Sequence, residues 1–306
     1  MRIAKVAVLM TVYNGMPYLP RSVDSVLEQT LRDFHFVIVN DGSRDGTADY
    51  LAGISDPRVL ILHQANLGTA AAANHGLKYC NADFVARMDA DDVALFERLE
   101  AQLDFLIAHP DIGLVGTQVA PFGDRGVGRS LRLPVCHDVI YRALRAGRHA
   151  IAHSSIMFRM SLAEQVGGYW TLGLVDDWDF MLRMGEASRL ANLDRILQLY
   201  RFHEASVTSQ IKRGRFSVDF ACELARRREA GLPAITPEEF QVQRDARGWW
   251  QRACAAIDIH SRRQYRTAMV EFYGAHRWRG VIRLVWAAIC GPRLTLERLL
   301  RMMGTK

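Results

Sequence analysis

Ala82-Asp83-Phe84-Val85-Ala86-Arg87-Met88-Asp89-Ala90-Asp91-Asp92 is a short apolar run that ends in a basic residue and then in three carboxylates. An apolar run of this length reads as a buried strand, which leaves Asp89, Asp91 and Asp92 at its tip. Three carboxylates held together repel one another, so a cation is expected to offset them, and a divalent ion that prefers oxygen suits the donor set. If that ion also clamps a diphosphate, the tip is a nucleotide site. The plainer alternative is a solvated acidic loop capping the next helix.

Working outward, the first 120 residues alternate between two periodicities. Ala4–Met10, Phe36–Val39, Val59–Leu62, Phe84–Met88 and Gly113–Gly116 are Val/Ile/Leu-rich runs bounded by turn residues, as buried parallel strands are. Helical stretches lie between them at Tyr18–Gln29, Thr47–Ala52, Thr69–Tyr79 and Glu97–His109. Strands alternating with such helices predict right-handed βαβ units and a doubly wound, mainly parallel α/β sheet. Ligands of these sheets lie beyond the carboxyl ends of the strands. Thr11–Asn14, Asn40–Ser43 and Asp89–Asp92 all fall at such ends, so one crevice is expected to collect them. Pro121–Pro134 reads as an edge hairpin or loop, Ala152–Arg159 as a strand, Trp178–Ser188 as a helix and Ile196–Tyr200 as a last strand. Beyond Ile211 the pattern is helical, broken near Gly231-Leu232-Pro233, Gly274 and Gly291-Pro292. This predicts a catalytic domain over 1–210 and a helical C-terminal region over 211–306.

The 306 residues suffice for a full core, and 49% hydrophobic with 24% charged residues is ordinary globular composition. Five cysteines stand far apart with no CxxC pair, which argues against a zinc site or a disulfide framework and fits a reducing compartment. Met1–Met10 lacks the pattern of a signal peptide, and no apolar run reaches the ~18 residues of a spanning helix. The expected location is the cytoplasm. Charge is uneven: residues 1–200 hold 19 Lys and Arg against 23 Asp and Glu, whereas 201–306 hold 20 against 10. The basic third predicts an anionic partner, and the alternative is a solvated helical surface.

Two further motifs sit at strand ends. Val39-Asn40-Asp41-Gly42-Ser43-Arg44-Asp45-Gly46-Thr47 puts Asp41 where its carboxylate can accept from a base edge, although Asx/Gly turns are common without ligands. Asn66-Leu67-Gly68-Thr69-Ala70-Ala71-Ala72-Ala73-Asn74-His75-Gly76 opens a helix with small residues that permit close approach to the sheet or to a ligand. Thr11-Val12-Tyr13-Asn14-Gly15 stands where a GxGxxG fingerprint would follow the first strand, which disfavours a dinucleotide oxidoreductase.

Taken with His153–Arg159, Gly167–Tyr169, Asp176–Arg183 and Tyr200–His203, these motifs resemble, in order and spacing over residues 4–209, the family 2 inverting glycosyltransferases of GT-A fold. The resemblance implies roles. Thr11 and Tyr13 would hold the uracil by backbone contact and stacking, and Asp41 would bond its edge. Arg87 would lie near the nucleotide and Asp89 at the ribose. Asp91 would be the ligand of Mn2+ or Mg2+, with Asp92 assisting and His203 approaching the metal or diphosphate. Asp177 would be the general base, with Asp176, in place of the usual Glu, as the competing assignment; either could also simply cap its helix. His153, Gly168 and Trp178 would shape the acceptor side. The implied partners are a nucleotide-sugar donor and a saccharide acceptor, lipid-linked in a surface-polysaccharide pathway. Two other functions stay open: a nucleotidyltransferase, although its Gly-rich basic loop after the first strand is lacking, and a catalytically silent sugar-nucleotide-binding or scaffold protein.

From Arg262 onward 10 basic residues face 2 acidic ones, interleaved with Trp278, Trp286 and leucines. That composition suits an interfacial helix on anionic lipid at the cytoplasmic membrane face. A helical hairpin packing its apolar face on the protein is the alternative. No nucleic-acid-reading motif occurs, and no nucleic-acid partner is expected.

Overall fold

The computed structural model describes residues 4–123, 126–128, 130, 132–170, 176–203, 211–273 and 277–292, with the backbone alone for 176, 211–213 and 277. Two compact units divide the chain: Met1–Val119 with Leu133–Tyr200, and Ala120–Arg132 with Arg201–Lys306.

The first unit begins with β1 (Ala4–Val12), α1 (Leu19–Leu27), β2 (Phe34–Asp41), α2 (Thr47–Ala52), β3 (Val59–Gln64), α3 (Thr69–Leu77) and β4 (Ala82–Asp89). β1 is buried along nearly its whole length, because helices cover both faces of a parallel sheet. Leu19, Val23 and Val26 of α1 recur at helical spacing and are all buried, while Pro20 in the first turn fixes where the helix starts. Phe36, Ile38, Val8, Met10, Met88 and Leu106 join the same core. Each such side chain contributes roughly 1.5–3 kcal/mol by leaving water. Gly76 of α3 lets that helix close on the sheet, since a Cβ there would lie against Leu9 and 2.9 Å from Cγ2 of Val39.

The parallel strands run in the order β3-β2-β1-β4. β2 and β3 build out on one side of β1 and β4 on the other, so the chain reverses its direction of winding between β1 and β4. That reversal leaves a crevice beyond the strands' carboxyl ends.

After β4 come β5 (Val93–Ala94), α4 (Arg98–Ala108), β6 (Ile112–Gly123), β7 (Gly126–Val127), α5 (His137–Arg145), a 3-10 turn at His153–Ser155, β8 (Met157–Arg159), α6 (Met160–Gln165), α7 (Asp176–Ala187) and β9 (Arg189–Arg201). Here the structure departs from the strand-by-strand reading. β8 is antiparallel to both β4 and β6, and β5 is antiparallel to β9. Gly113–Gly116, read as one more parallel strand, lies inside a twelve-residue antiparallel β6. An apolar run reports burial on both faces and carries no information about strand direction. The strand read over Ala152–Arg159 begins only at Met157, and β9 starts seven residues before Ile196.

In the second unit the end of β6 pairs with β7 as a hairpin, Phe122 opposite Val127 and Gly123 opposite Gly126. Its helices are α8 (Ile211–Glu229), α9 (Pro237–Asp245), α10 (Trp249–Tyr273) and α11 (Arg277–Cys290). Thr236 and Glu239 cap α9 reciprocally, and Phe216, Phe220 and Phe240 join α8 to α9. Tyr273 of α10 packs on the hairpin where Gly123 and Gly128 leave room, and stacks with Phe202 at 6.1 Å. The second unit starts at Arg201 and takes in the hairpin, whereas the onset of the helical pattern put the boundary at 210.

Candidate functional site

At the reversal point Thr11 of β1 is the neighbour of Val39 on one side and of Asp89 on the other. The two loops that leave β1 and β2 are stitched together. Asn14 N donates to Ser43 Oγ at 2.9 Å, Gly15 N to Thr47 Oγ1 at 2.8 Å and Met16 N to Asp45 Oδ2 at 3.0 Å. In return Arg44 N donates to Asn14 Oδ1 at 2.8 Å. Asn14 adopts φ +54°, a left-handed conformation that asparagine tolerates better than most residues. This rigid rim presents Tyr13 half exposed.

Asp41, buried at the end of β2, accepts from Gln64 Nε2 at 2.7 Å and from the backbone N–H groups of Leu67 and Gly68, both at 2.9 Å. Because Asp41 only accepts, the amide of Gln64 is fixed with its oxygen toward His75. His75 Nδ1 then carries the proton of the 2.8 Å bond to Gln64 Oε1. The chain His75–Gln64–Asp41 holds the carboxylate in place and uses three of its roughly four acceptor positions, leaving one for a ligand donor.

Arg87 is 1% exposed and its guanidinium bridges the two central strands. It donates to Leu9 O at 3.0 Å and Thr11 Oγ1 at 3.3 Å, and lies 3.7 Å from Asp89 Oδ1. Its charge is therefore set under the crevice rather than held out to solvent. Asp89, whose side chain keeps 41% exposure, is pushed up to about 6 by partial desolvation, while Arg87 pulls the other way and Asp91 and Asp177 add repulsion. That repulsion means that Asp89, Asp91 and Asp177 face one electrostatic space. Hard oxygen donors under mutual repulsion fit a small divalent ion. Among the described residues no three His, Cys, Asp or Glu side chains close into a cage. An ion here would rest on one or two carboxylates and complete its shell from a diphosphate and water.

Asp92 differs from its neighbours. It is fully buried, and its Oδ2 accepts from Ser154 Oγ at 2.6 Å and Gln198 Nε2 at 2.8 Å. Gln198 accepts in turn from Arg98, a buried residue that also donates to Gln102 Oε1 at 3.0 Å and to the Arg87 carbonyl at 2.6 Å. Burial brings Arg98 down to about 10, with Asp92 and Asp89 opposing the shift, so it stays charged at neutral pH. Asp92, expected to assist a metal, has its Oδ2 bound to Ser154 and Gln198 in the interior, so that its carboxylate anchors the acidic turn from below. Nothing in the sequence marked Arg98 and Gln198 as partners, since a hundred residues separate them. Arg98 and Gln102, four apart on one helix face, were the only available hint.

Asp176 and Asp177 open α7, and Asp177 is half-buried. Trp178, expected on the acceptor side, is turned into the core, where its indole N–H donates to Leu144 O at 3.0 Å. It fixes the rotation of α7 and does not reach the crevice. One helical turn on, Arg183 pairs with Asp179 at 2.6 Å and donates to the carbonyls of Val166 and Gly168. The Gly167-Gly168 turn, with φ of +80° and +66°, is thereby tied to α7. Asn74 of α3 bonds both backbone groups of Tyr169. The Tyr169 hydroxyl meets His153 Nε2 at 2.9 Å, and His153 is held well below its usual range by burial and by Arg87. The neutral His153–Tyr169 pair thus lies beside Arg87, Asp89 and Asp177. Tyr169 closes the Gly167–Tyr169 motif, in which only Gly168 carried an expected role. His203 follows β9 in the second unit and is half-buried.

Residues 7–167 match the model of glycosyl transferase family 2. The putative glycosyltransferase EpsE of Bacillus subtilis is 32% identical over 225 residues, 71% of this chain and 79% of that protein. The amylovoran biosynthesis glycosyltransferase AmsE of Erwinia amylovora is 32% identical over 202 residues, 64% of this chain and 75% of that one. Among solved structures, S. aureus TarS 1–349 in complex with UDP superposes with a TM-score of 0.60 at 15% identity, over 95% of this chain and 91% of its own. That last likeness concerns the fold, which is GT-A. With its family model spanning more than half of the chain and its EpsE relative matched over most of both lengths, this chain belongs to glycosyltransferase family 2.

Proposed function

We propose that the chain transfers a sugar from a nucleoside-diphosphate donor, a UDP-sugar, to an acceptor hydroxyl with inversion at the anomeric carbon, in surface-polysaccharide synthesis on a lipid-linked acceptor. The observation that carries this reading is that the ends of β2, β1 and β4 meet at Thr11, with Val39 beside it on one side and Asp89 on the other and Arg87 set 3.7 Å from Asp89 Oδ1. The relatives support the setting, since AmsE is named for amylovoran biosynthesis and WbnJ of Escherichia coli for O-antigen biosynthesis. TarS, of the same fold, has been crystallised with UDP and with UDP-GlcNAc.

In this reading Tyr13 stacks on the base, and Asp41 accepts from its N–H through the remaining acceptor position, aided by Thr11 at the strand end. Asp89 takes the ribose hydroxyls, with Arg87 fixing its carboxylate from below. Asp91 holds Mn2+ or Mg2+, which when bound supplies Lewis-acid neutralisation of the departing diphosphate. Asp177 removes the proton from the acceptor hydroxyl as its oxygen attacks C1 and the C1–O bond to the diphosphate breaks on the opposite face. A base opposite the leaving group gives one displacement, hence inversion. His153 and Tyr169 line the acceptor side, with Gly168 shaping the turn.

Two variants test this. Asp177→Asn is expected to keep UDP binding and lose transfer by about 10²-fold or more, the scale of general-base catalysis. Asp91→Asn is expected to lose the Mn2+-dependent part of UDP affinity in calorimetry. Near-normal turnover in Asp177→Asn would move the base to Asp176, and unchanged Mn2+-dependent affinity in Asp91→Asn would remove the metal role.

A further inference from the structure

The two faces of α11 differ sharply. On one, Gly280, Ala287 and Gly291 meet α10 at very close range. A Cβ on Gly280 would stand 2.7 Å from Ala268 O, and Ser261 Oγ donates to Ala287 O at 3.0 Å. Arg283 adds an ion pair to Glu271 at 3.0 Å and a hydrogen bond to Gln264 at 3.1 Å. The hairpin is therefore closed mainly by small residues and polar bonds on this face, to which Trp286 adds a hydrogen bond from its edge. That other face carries Trp278, Ile282, Val285, Trp286 and Ile289, exposed by 82%, 68%, 56%, 51% and 65%. At about 100° per residue these five positions fall within an arc of about 100°, a continuous apolar stripe.

We propose that this stripe is a docking face for an anionic lipid surface, on which α11 lies in the plane of the headgroups. Charge chooses this occupant. α11 contains Arg277, Arg279 and Arg283 and no acidic residue; Arg283 is paired with Glu271 on the packed face, and from Glu271 to the last residue seven basic residues face two acidic. A second copy of the chain seated on the stripe would bring the same cations against themselves, whereas an anionic surface offers both an apolar layer and countercharge. Two tryptophans on the stripe suit the boundary between acyl chains and headgroups, where an amphipathic ring keeps its N–H wet. Trp286 is held at the edge of the stripe, its indole N–H donating to His260 Nε2 of α10 at 3.4 Å while the ring stays half exposed. None of the helices among the described residues is long and apolar enough to cross a membrane, so this contact is peripheral. The proposal is independent of the transfer reaction, because no residue of the crevice takes part.

The test is co-sedimentation of the full chain with phosphatidylglycerol and with phosphatidylcholine vesicles over a salt series. The comparison variant is Ile282→Asp/Ile289→Asp, with UDP binding as the control for folding. The expected result is binding to the anionic vesicles that weakens as salt rises and falls at least about tenfold in the variant, since the stripe then carries charges that the lipid repels. Equal binding to both vesicle types, undiminished binding in the variant, or no binding at all would overturn the proposal. So would a wild-type dimer in light scattering that the variant dissociates without any lipid binding, because the stripe would then be a self-interface.

Discussion

Asp92 and Asp91 are adjacent aspartates, and the network beneath the crevice makes replacing them unequal. Asp92→Asn keeps the shape of the side chain and removes its charge. One oxygen can still accept from Ser154 or Gln198, but the new amide group brings donors into a pocket whose neighbours already donate. Arg98, 1% exposed, loses one of the two carboxylates that oppose its depression. Removing one member of a buried charge pair typically costs about 3–5 kcal/mol. Arg98 keeps its bonds to Gln102, Gln198 and the Arg87 carbonyl, and Asp89 is still nearby, so the lower end, about 3 kcal/mol, is expected. For a unit of this size that is a fall in Tm of about 6–12 °C. Asp91→Asn relieves like-charge repulsion on Asp89 and is expected to change stability by no more than about 0.5 kcal/mol, or to raise it slightly. Urea and thermal melts of both variants give the comparison. A double change, Asp92→Asn with Arg98→Met, should recover part of the loss by removing the stranded cation. Equal destabilisation at positions 91 and 92, or no recovery in the double variant, would refute the anchoring role of the network.

Gly76→Ala should destabilise by about 1–2 kcal/mol in urea melts. The usual helix gain of about 1 kcal/mol is outweighed by a methyl forced against buried Leu9 and Val39, in the range of about 1–3 kcal/mol for overpacking. Thiol alkylation should be selective: burial pushes the Cys80 thiol up to about 12, while Cys136 and Cys254 are exposed. Iodoacetamide at pH 8 should therefore label the latter two in the native protein and reach Cys80 only after unfolding, as mass spectrometry of peptides would read. Native labelling of Cys80 at the rate of Cys136 would contradict its burial.

Much of the site was legible because the information is local. In a parallel sheet the strand ends gather on one edge, so Thr11, Asp41 and Asp89, each at the end of an apolar run, had to lie near one another once the runs were recognised as strands. The Asp45–Thr47 and Gly42–Ser43 signals likewise belong to one turn, although the bonds that tie it to Asn14–Met16 could not be read from either segment alone.

The amino-acid sequence by itself determined the strand–helix alternation of residues 4–109, the convergence of the acidic tip with two loop motifs, and the helical, basic character of the last hundred residues. Each of these follows from periodicity or composition within a short window. Only the tertiary structure decided which way a given carboxylate faces. Asp91 and Asp92 are neighbours in the chain, yet Asp92 is drawn down by Ser154 and Gln198, partners 62 and 106 residues away. The same holds for Trp178, whose place in the core depends on a carbonyl 34 residues earlier, and for β6, β8 and β9, whose antiparallel directions no apolar run encodes. The α11 stripe combines the two. Its spacing was present in the sequence, but that its other face is the one that packs followed from how closely Gly280 and Ala287 could approach α10. Side-chain period is a property of one segment, whereas orientation and register are set by contacts whose sequence separation leaves no local mark.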